Sequence, residues 1–226
     1  MPQAPAYLLS DLDETLYPSS CGLMQAVSAR MSLFVARYLK VGQEEAARIR
    51  RRLRVVYGTT LTGLMREHGL EVAEQYLAFT HDVPVDSFLS EDPQLAEALS
   101  SIPLPKSVLT NSPLEHAERI LARLGVRRLF ERVFDLRFNR FTGKPDPGVY
   151  RRALGELGRR APEVLLVDNH LDYLAPFRAM GGQVLLIDEK GEAAGSGLRD
   201  GIPSLRDFKE LPSFLASLSP PRPARH

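Results

Sequence analysis

The sequence predicts an α/β fold, a doubly wound parallel sheet carrying an inserted helical cap. Short apolar runs recur along the chain, each closing on a polar or acidic residue, with stretches of helical spacing between the later ones. One long segment, from about Cys21 to Glu74, shows helical spacing alone. Strands that alternate with helices imply right-handed crossovers and a parallel sheet, so the helical segment reads as an insertion after the first strand. A chain of 226 residues suits one large domain or a core with an insertion, and 44% hydrophobic with 25% charged residues is enough to build a real core.

In chain order, Tyr7 to Leu9 is the first strand, a buried run that ends where Ser10 and acids emerge. Met24, Val27, Met31, Phe34, Val35 and Tyr38 then repeat at helical spacing, and a charged run from Glu44 to Arg54 follows Gly42. Ser107 to Leu109 is the second strand, closing on Thr110 and Asn111. After Pro113 a helix is expected from Leu114 to Leu124, stopped by Gly125. Arg132 to Phe134 is a short third strand, Val164 to Val167 a fourth ending in Asp168, and Val184 to Ile187 a fifth ending in Asp188. Helices are expected near Gly148 to Leu157 and Leu171 to Met180. The glycine-rich stretch Gly191 to Gly201 reads as a mobile loop and Ser219 to His226 as a disordered tail.

Composition excludes several classes of partner. The 29 basic and 28 acidic residues leave a net charge of +1, without the basic surplus of a duplex-binding module, so no nucleic-acid partner is expected. No apolar stretch approaches the ~18 residues of a membrane span, and the start has no basic region of the secretory kind. Cys21 is the single cysteine, which rules out an intrachain disulfide or a multi-cysteine zinc site and suits a reducing compartment. A cytoplasmic protein, monomer or dimer, is the expectation.

In an open parallel sheet, ligands bind beyond the carboxyl ends of the strands, so the residues that follow the apolar runs belong together. They are Asp11, Asp13, Thr15, Thr110, Asn111, Asp168 and Asn169, joined by Lys144 in the loop GKPDP. Two carboxylates two residues apart at a strand end can divide nucleophilic attack from proton transfer. Alone, a D-x-D-x-T string fits a solvated turn or a helix cap equally well. Its company, in that order along the chain, is what points to phosphate and metal chemistry.

With motifs DLDETLYP, LTNS, GKPDP and VDNHLD, the chain resembles the haloacid dehalogenase superfamily of phosphotransferases. Within it, YGTTLTGLM, FTHDVPVDSFL and NSPLEHAERILARLG look like the pyrimidine 5′-nucleotidase group. The resemblance implies a Rossmann-like core over residues 1–16 and 97–218, a helical cap over 17–96 and a tail over 219–226. It implies a Mg²⁺-dependent phosphomonoester hydrolase acting on a small phosphorylated metabolite, with a nucleoside 5′-monophosphate as the first expectation. Asp11 would attack phosphorus and become an aspartyl phosphate, and Asp13 would move the protons. Thr110, Asn111 and Lys144 would hold the phosphoryl oxygens. Mg²⁺ would be bound by Asp11, the Asp13 carbonyl and the fourth motif, Asp168 with Asn169. The cation matters because unit charges at 4 Å repel by ~4 kcal/mol at an effective dielectric near 20.

The fourth motif departs from the family pattern. Aligned by the run ending at Val167 and by Gly181, Asn169 falls where the main metal-binding aspartate is expected, with Asp168 or Asp172 as possible compensation. An amide oxygen coordinates without charge, so weakened Mg²⁺ binding is expected. Substrate choice falls to the cap, with Tyr17, Tyr57, Thr59, Thr60 and His81 as candidates. The alternatives are a phosphatase for another small metabolite such as a sugar phosphate, and a phosphate-binding or regulatory protein whose fourth motif has decayed. Arg48 to Arg54 is read as a solvated helix face answering Glu44 and Glu45, His116 and His170 as structural neighbours of the motifs, and Cys21 as a packing residue.

Overall fold

The computed structural model describes residues 4–191 and 201–218. Among the described residues six parallel strands form one sheet: β1 (Tyr7–Ser10), β2 (Lys106–Leu109), β3 (Val133–Phe134), β4 (Val164–Asp168), β5 (Gln183–Ile187) and β6 (Ser204–Leu205). Their order is β3-β2-β1-β4-β5-β6. The chain therefore builds outward from β1 to one side, then returns to build outward from β4 on the other. The crevice between the carboxyl ends of β1 and β4 is the topological switch point where open α/β sheets bind ligands.

Alternation along each strand divides the side chains between two layers. Leu8, Leu165, Val167, Leu185 and Ile187 enter one apolar cluster; Tyr7, Leu9, Val164, Leu166, Val184 and Leu186 enter the other. Because helices cover both faces, these strands are apolar at nearly every position, which is why they read as continuous runs in the sequence. The five expected strands are present with ends shifted by a residue. β6 was not anticipated, since two residues, Ser204 and Leu205, carry no periodicity. Most of the glycine-rich stretch, residues 192–200, and the tail 219–226 lie outside the described residues.

Between β1 and β2 come α1 (Leu23–Leu39), α2 (Gln43–Tyr57), α3 (Thr60–His68), α4 (Val72–Thr80) and α5 (Pro93–Ser101). The first four build an apolar cluster around Phe34, Leu53, Leu64, Tyr76 and Leu77, joined by Leu136 from the loop after β3. Helix α1 serves two clusters: Leu23 and Val27 pack on the sheet layer, Phe34 and Val35 on α2 to α4. Thr59 starts α3 by accepting the Thr62 N–H at 3.0 Å, and Gly58 ends α2 at φ +84, a positive value that glycine adopts without strain. The later helices are α6 (Leu114–Arg123), α7 (Pro147–Leu157), α8 (Leu171–Ala179) and α9 (Leu211–Leu218). Asp146 caps α7, and Pro147 stands at its first turn, where a missing N–H costs nothing. Among the described residues no helix is long and apolar enough to cross a membrane.

Candidate active site

Asp11 follows β1 directly, and its N–H donates to the Val167 carbonyl at 2.8 Å, extending the contact between β1 and β4. The chain then turns tightly, with the Leu16 N–H bonded to the Leu12 carbonyl at 3.0 Å and Glu14 in the left-handed region at φ 58°. The turn gives Asp11 and Asp13 different neighbours. Asp11, 5% exposed, faces Lys144, whose Nζ lies 2.8 Å from Asp11 Oδ1 and 2.6 Å from Asp168 Oδ2. The second Asp168 oxygen accepts the His170 N–H at 2.9 Å. Thr15 donates its hydroxyl to Asp11 Oδ2 at 3.2 Å and lies 3.4 Å from the Asn169 amide oxygen.

Lys144 is wholly buried on a loop, so something must fix that loop. Asn111 does so with both ends of its amide: Oδ1 accepts the Lys144 N–H at 2.7 Å, and Nδ2 donates to the Lys144 carbonyl at 3.0 Å. Gly143 permits the approach, since a Cβ there would stand 2.8 Å from Asn111 Oδ1.

Asp13 is held by a separate set. Ser112 Oγ donates to Oδ2 at 2.6 Å, Tyr17 donates its hydroxyl to Oδ1 at 2.7 Å, and Thr110 Oγ1 is 3.4 Å from Oδ2. His116, fully buried, brings Nε2 to 3.6 Å from Oδ1, too far for a hydrogen bond, and neither of its ring nitrogens has a partner among the described residues. Its ring meets His81 edge-on at 4.9 Å between centroids.

The electrostatics follow from burial and these partners. Burial pushes the Asp11 carboxyl up; Lys144 opposes this, while Asp168 and Asp13 add to it. Burial raises Asp168 too, against Lys144. Burial would lower Lys144, but Asp11 and Asp168 outweigh it and hold the ammonium above its usual range. Burial works to raise Asp13 as well, yet His116, Ser112 and Tyr17 together hold its carboxyl well below the usual carboxylate range. Burial lowers His81 to about 4. Among the described residues, Asp11, Asp13 and Asp168 thus bring three carboxyl groups to the strand ends, where Lys144 is the ammonium in contact with Asp11 and Asp168. A divalent cation would balance that surplus, and the donors at hand are hard oxygens, the kind Mg²⁺ takes. Among the described residues no three His, Cys, Asp or Glu side chains gather as a metal cluster, so carbonyl, amide and water oxygens would complete such a site.

A cavity of about 260 Å³ opens over this floor, lined from below by Asp11, Asn111 and Lys144 and from the helices by Arg50, Thr59 and Tyr76, among others. Of the cap candidates, Thr59, Thr60 and His81 line it. Tyr17, 4% exposed, lies behind Asp13. Tyr57 packs against the α1 to α4 cluster, away from the cavity lining. Cys21 packs against the sheet layer as a free thiol.

A family model for haloacid dehalogenase-like hydrolases matches residues 7–181, from β1 to the end of α8. The chain belongs to this family. This haloacid dehalogenase-like hydrolase is 30% identical over 184 residues to the phosphoglycolate phosphatase of Pectobacterium atrosepticum, covering 77% of the chain and 76% of that protein. It is 28% identical over 156 residues to phosphate metabolism protein 8 of Saccharomyces cerevisiae, covering 63% of the chain; the match spans about half of that relative, 49%. Among solved structures, the 2-haloacid dehalogenase from Pseudomonas syringae pv. tomato shares the fold with a TM-score of 0.62 at 19% identity, over 95% of this chain and 100% of that one.

Of this hydrolase's site residues, Ser112 was not singled out from sequence, while His116 was read as a structural neighbour and the α2 arginines as a solvated face. Ser112 lies inside LTNS, two residues past Thr110, and His116 four residues further in the first turn of α6, so the segment entering α6 and its first turn support Asp13. Arg50 and Arg54 line the cavity although the run Arg48 to Arg54 reads as a solvated face. The spacing holds the signal: Arg48 pairs with Glu45 at 2.5 Å and Arg52 with Glu67 at 2.5 Å, which leaves the i, i+4 pair Arg50 and Arg54 on the other face.

Proposed function

We propose that this hydrolase is a Mg²⁺-dependent phosphomonoester hydrolase that takes the phosphoryl group onto Asp11. The observation that carries the reading is the buried Asp11 carboxylate at the switch point, with Lys144 Nζ 2.8 Å away on one side and Asp13 held by hydroxyl donors on the other. Asp11 attacks phosphorus and forms an aspartyl phosphate, which replaces one hard displacement by two easier ones. Lys144 offsets charge on the transferring group, in a position fixed by Asn111. Thr110 and the Asn111 amide, which also bonds the Lys144 carbonyl and the Tyr173 side chain, are the neutral donors offered to phosphoryl oxygens.

Asp13 is ionised in the free site, and an arriving phosphate dianion raises its proton affinity by charge repulsion. It then protonates the leaving oxygen and later deprotonates the attacking water. Ser112 and Tyr17 keep the carboxylate aimed at that oxygen. Carbon-halogen displacement needs no such acid, so the supported Asp13 favours phosphate esters over the substrates of the dehalogenase neighbour. Mg²⁺ would be held by Asp11, the Asp13 carbonyl and Asp168 or Asn169, and when bound it supplies positive charge that lets a carboxylate approach a phosphate dianion. Residues 17–96 serve as the cap over a core of residues 1–16 and 97–218. With Cys21 as its single cysteine, the chain suits a reducing, cytoplasmic setting.

For the substrate, the nucleotidase-like motifs favour a nucleoside 5′-monophosphate. A second reading, a smaller phosphorylated metabolite, is favoured by the cavity, whose volume of about 260 Å³ falls below the ~300–1,000 Å³ of drug-sized ligand sites, and by the relative named phosphoglycolate phosphatase. The reading of the reaction is tested by phosphate release from an aryl phosphate. Release stimulated by Mg²⁺ and abolished in Asp11→Asn is expected; equal rates in wild type and variant would leave a phosphate-binding protein instead.

A further inference from the structure

Two cations on the helical side of the cavity lack a counterion. Arg50 and Arg54 stand one turn apart on α2 and line the same space as Asp11 and Lys144. Arg50 gives its terminal nitrogens to neutral groups, the Ser28 carbonyl at 2.8 Å, the Ser32 hydroxyl at 2.6 Å, the Ser28 hydroxyl and the Met31 sulfur, while its Nε is buried without a partner. No hydrogen bond or ion pair of the Arg54 side chain occurs among the described residues. The acids lining the cavity, Asp11, Asp13 and Glu14, all come from the strand-end side, and none forms an ion pair with either arginine.

Like charges at i, i+4 disfavour a helix, and the half-buried Arg50 guanidinium has no counterion to offset its loss of water. The other arginines of this helix that approach acids have been neutralised: Arg48 by Glu45 and Arg52 by Glu67. Arg50, half-buried, and Arg54, exposed, are the pair left lining the cavity. A neutral base or sugar entering from this side would bury them unpaired, whereas a carboxylate or phosphoryl group matches the planar fork of a guanidinium.

We propose that Arg50 and Arg54 form a subsite for a second anionic group, so that the substrates are small phosphate monoesters that also carry a carboxylate or a second phosphoryl group. This rests on the phosphomonoesterase reading and adds the substrate class to it. The phosphoryl group to be transferred lies at Asp11 and Lys144, and the second anion meets α2 across the cavity.

Calorimetric titration of the full chain in Mg²⁺ buffer tests the subsite without requiring turnover. The probes are 3-phosphonopropionate, 1,3-propanediyldiphosphonate and the single-anion control propylphosphonate. At least one two-anion probe is expected to bind about tenfold or more tighter than the control, and the tighter of the two identifies the second group. Arg54→Gln and Arg50→Gln should each cut that ratio by about tenfold, with Arg54→Lys keeping an intermediate ratio. Equal affinity for all three probes in the wild type, no binding of any, or a ratio unchanged in both glutamine variants would overturn the subsite. Asp11-dependent phosphate release alongside a flat ratio would sink the subsite alone and leave the phosphomonoesterase reading intact.

Discussion

Asn169 stands one residue past β4, its amide oxygen 3.4 Å from the Thr15 hydroxyl, beside an Asp168 whose two oxygens are engaged by Lys144 and the His170 N–H. If a cation is held here, the neutral amide is the less encumbered oxygen but contributes no charge. Asn169→Asp should therefore lower the Mg²⁺ concentration for half-maximal activity by about tenfold; an unchanged midpoint would move the ligand role to Asp168. Residues such as Asp11, Thr110 and Asp168 are legible in the sequence because each ends an apolar run, and the ends of parallel strands converge. Ser112 and His116 were harder to read, because a serine and a histidine at a helix start serve capping and packing as readily as they support a carboxylate. Tyr17 was read as a substrate contact. In the fold its hydroxyl is turned onto Asp13, and no one-dimensional pattern distinguishes those two directions.

At the scale of elements, the loop before α7 shows how backbone shape reaches the chemistry. Lys144 is fixed by the clamp from Asn111, and the clamp closes only because Gly143 has no side chain. Gly143→Ala should push the loop outward and lower kcat/KM by about 10²-fold, measured by steady-state phosphate release; a wild-type value would mean that Lys144 does not depend on the clamp. The strands and the helices between them were legible because burial on both faces writes unbroken apolar runs and helices write a different period. The cavity-lining face of α2 was not, because a row of arginines offers each glutamate more than one partner, and only the packing of α3 shows that Arg52 takes Glu67. Gly63 is part of that packing: a Cβ there would stand 2.7 Å from Leu53, so α2 and α3 approach closely.

For the whole molecule, the strand order places β1 and β4 side by side, and the helices inserted after β1 return over the same crevice with an apolar cluster. The strand ends supply the charged floor and the inserted helices supply the face that a substrate meets. The fold class could be read from the alternation of runs alone, whereas the cavity arises between segments distant in sequence and needed coordinates. The central claim is that Asp11 carries the phosphoryl group between two half-reactions. Acid quenching of the chain during turnover of an aryl phosphate, followed by mass spectrometry of its peptides, tests this directly. The account predicts one added phosphoryl group on the peptide containing Asp11, and none on that peptide in Asp11→Asn. A phosphoryl group found on a different residue, or turnover continuing in Asp11→Asn, would contradict it.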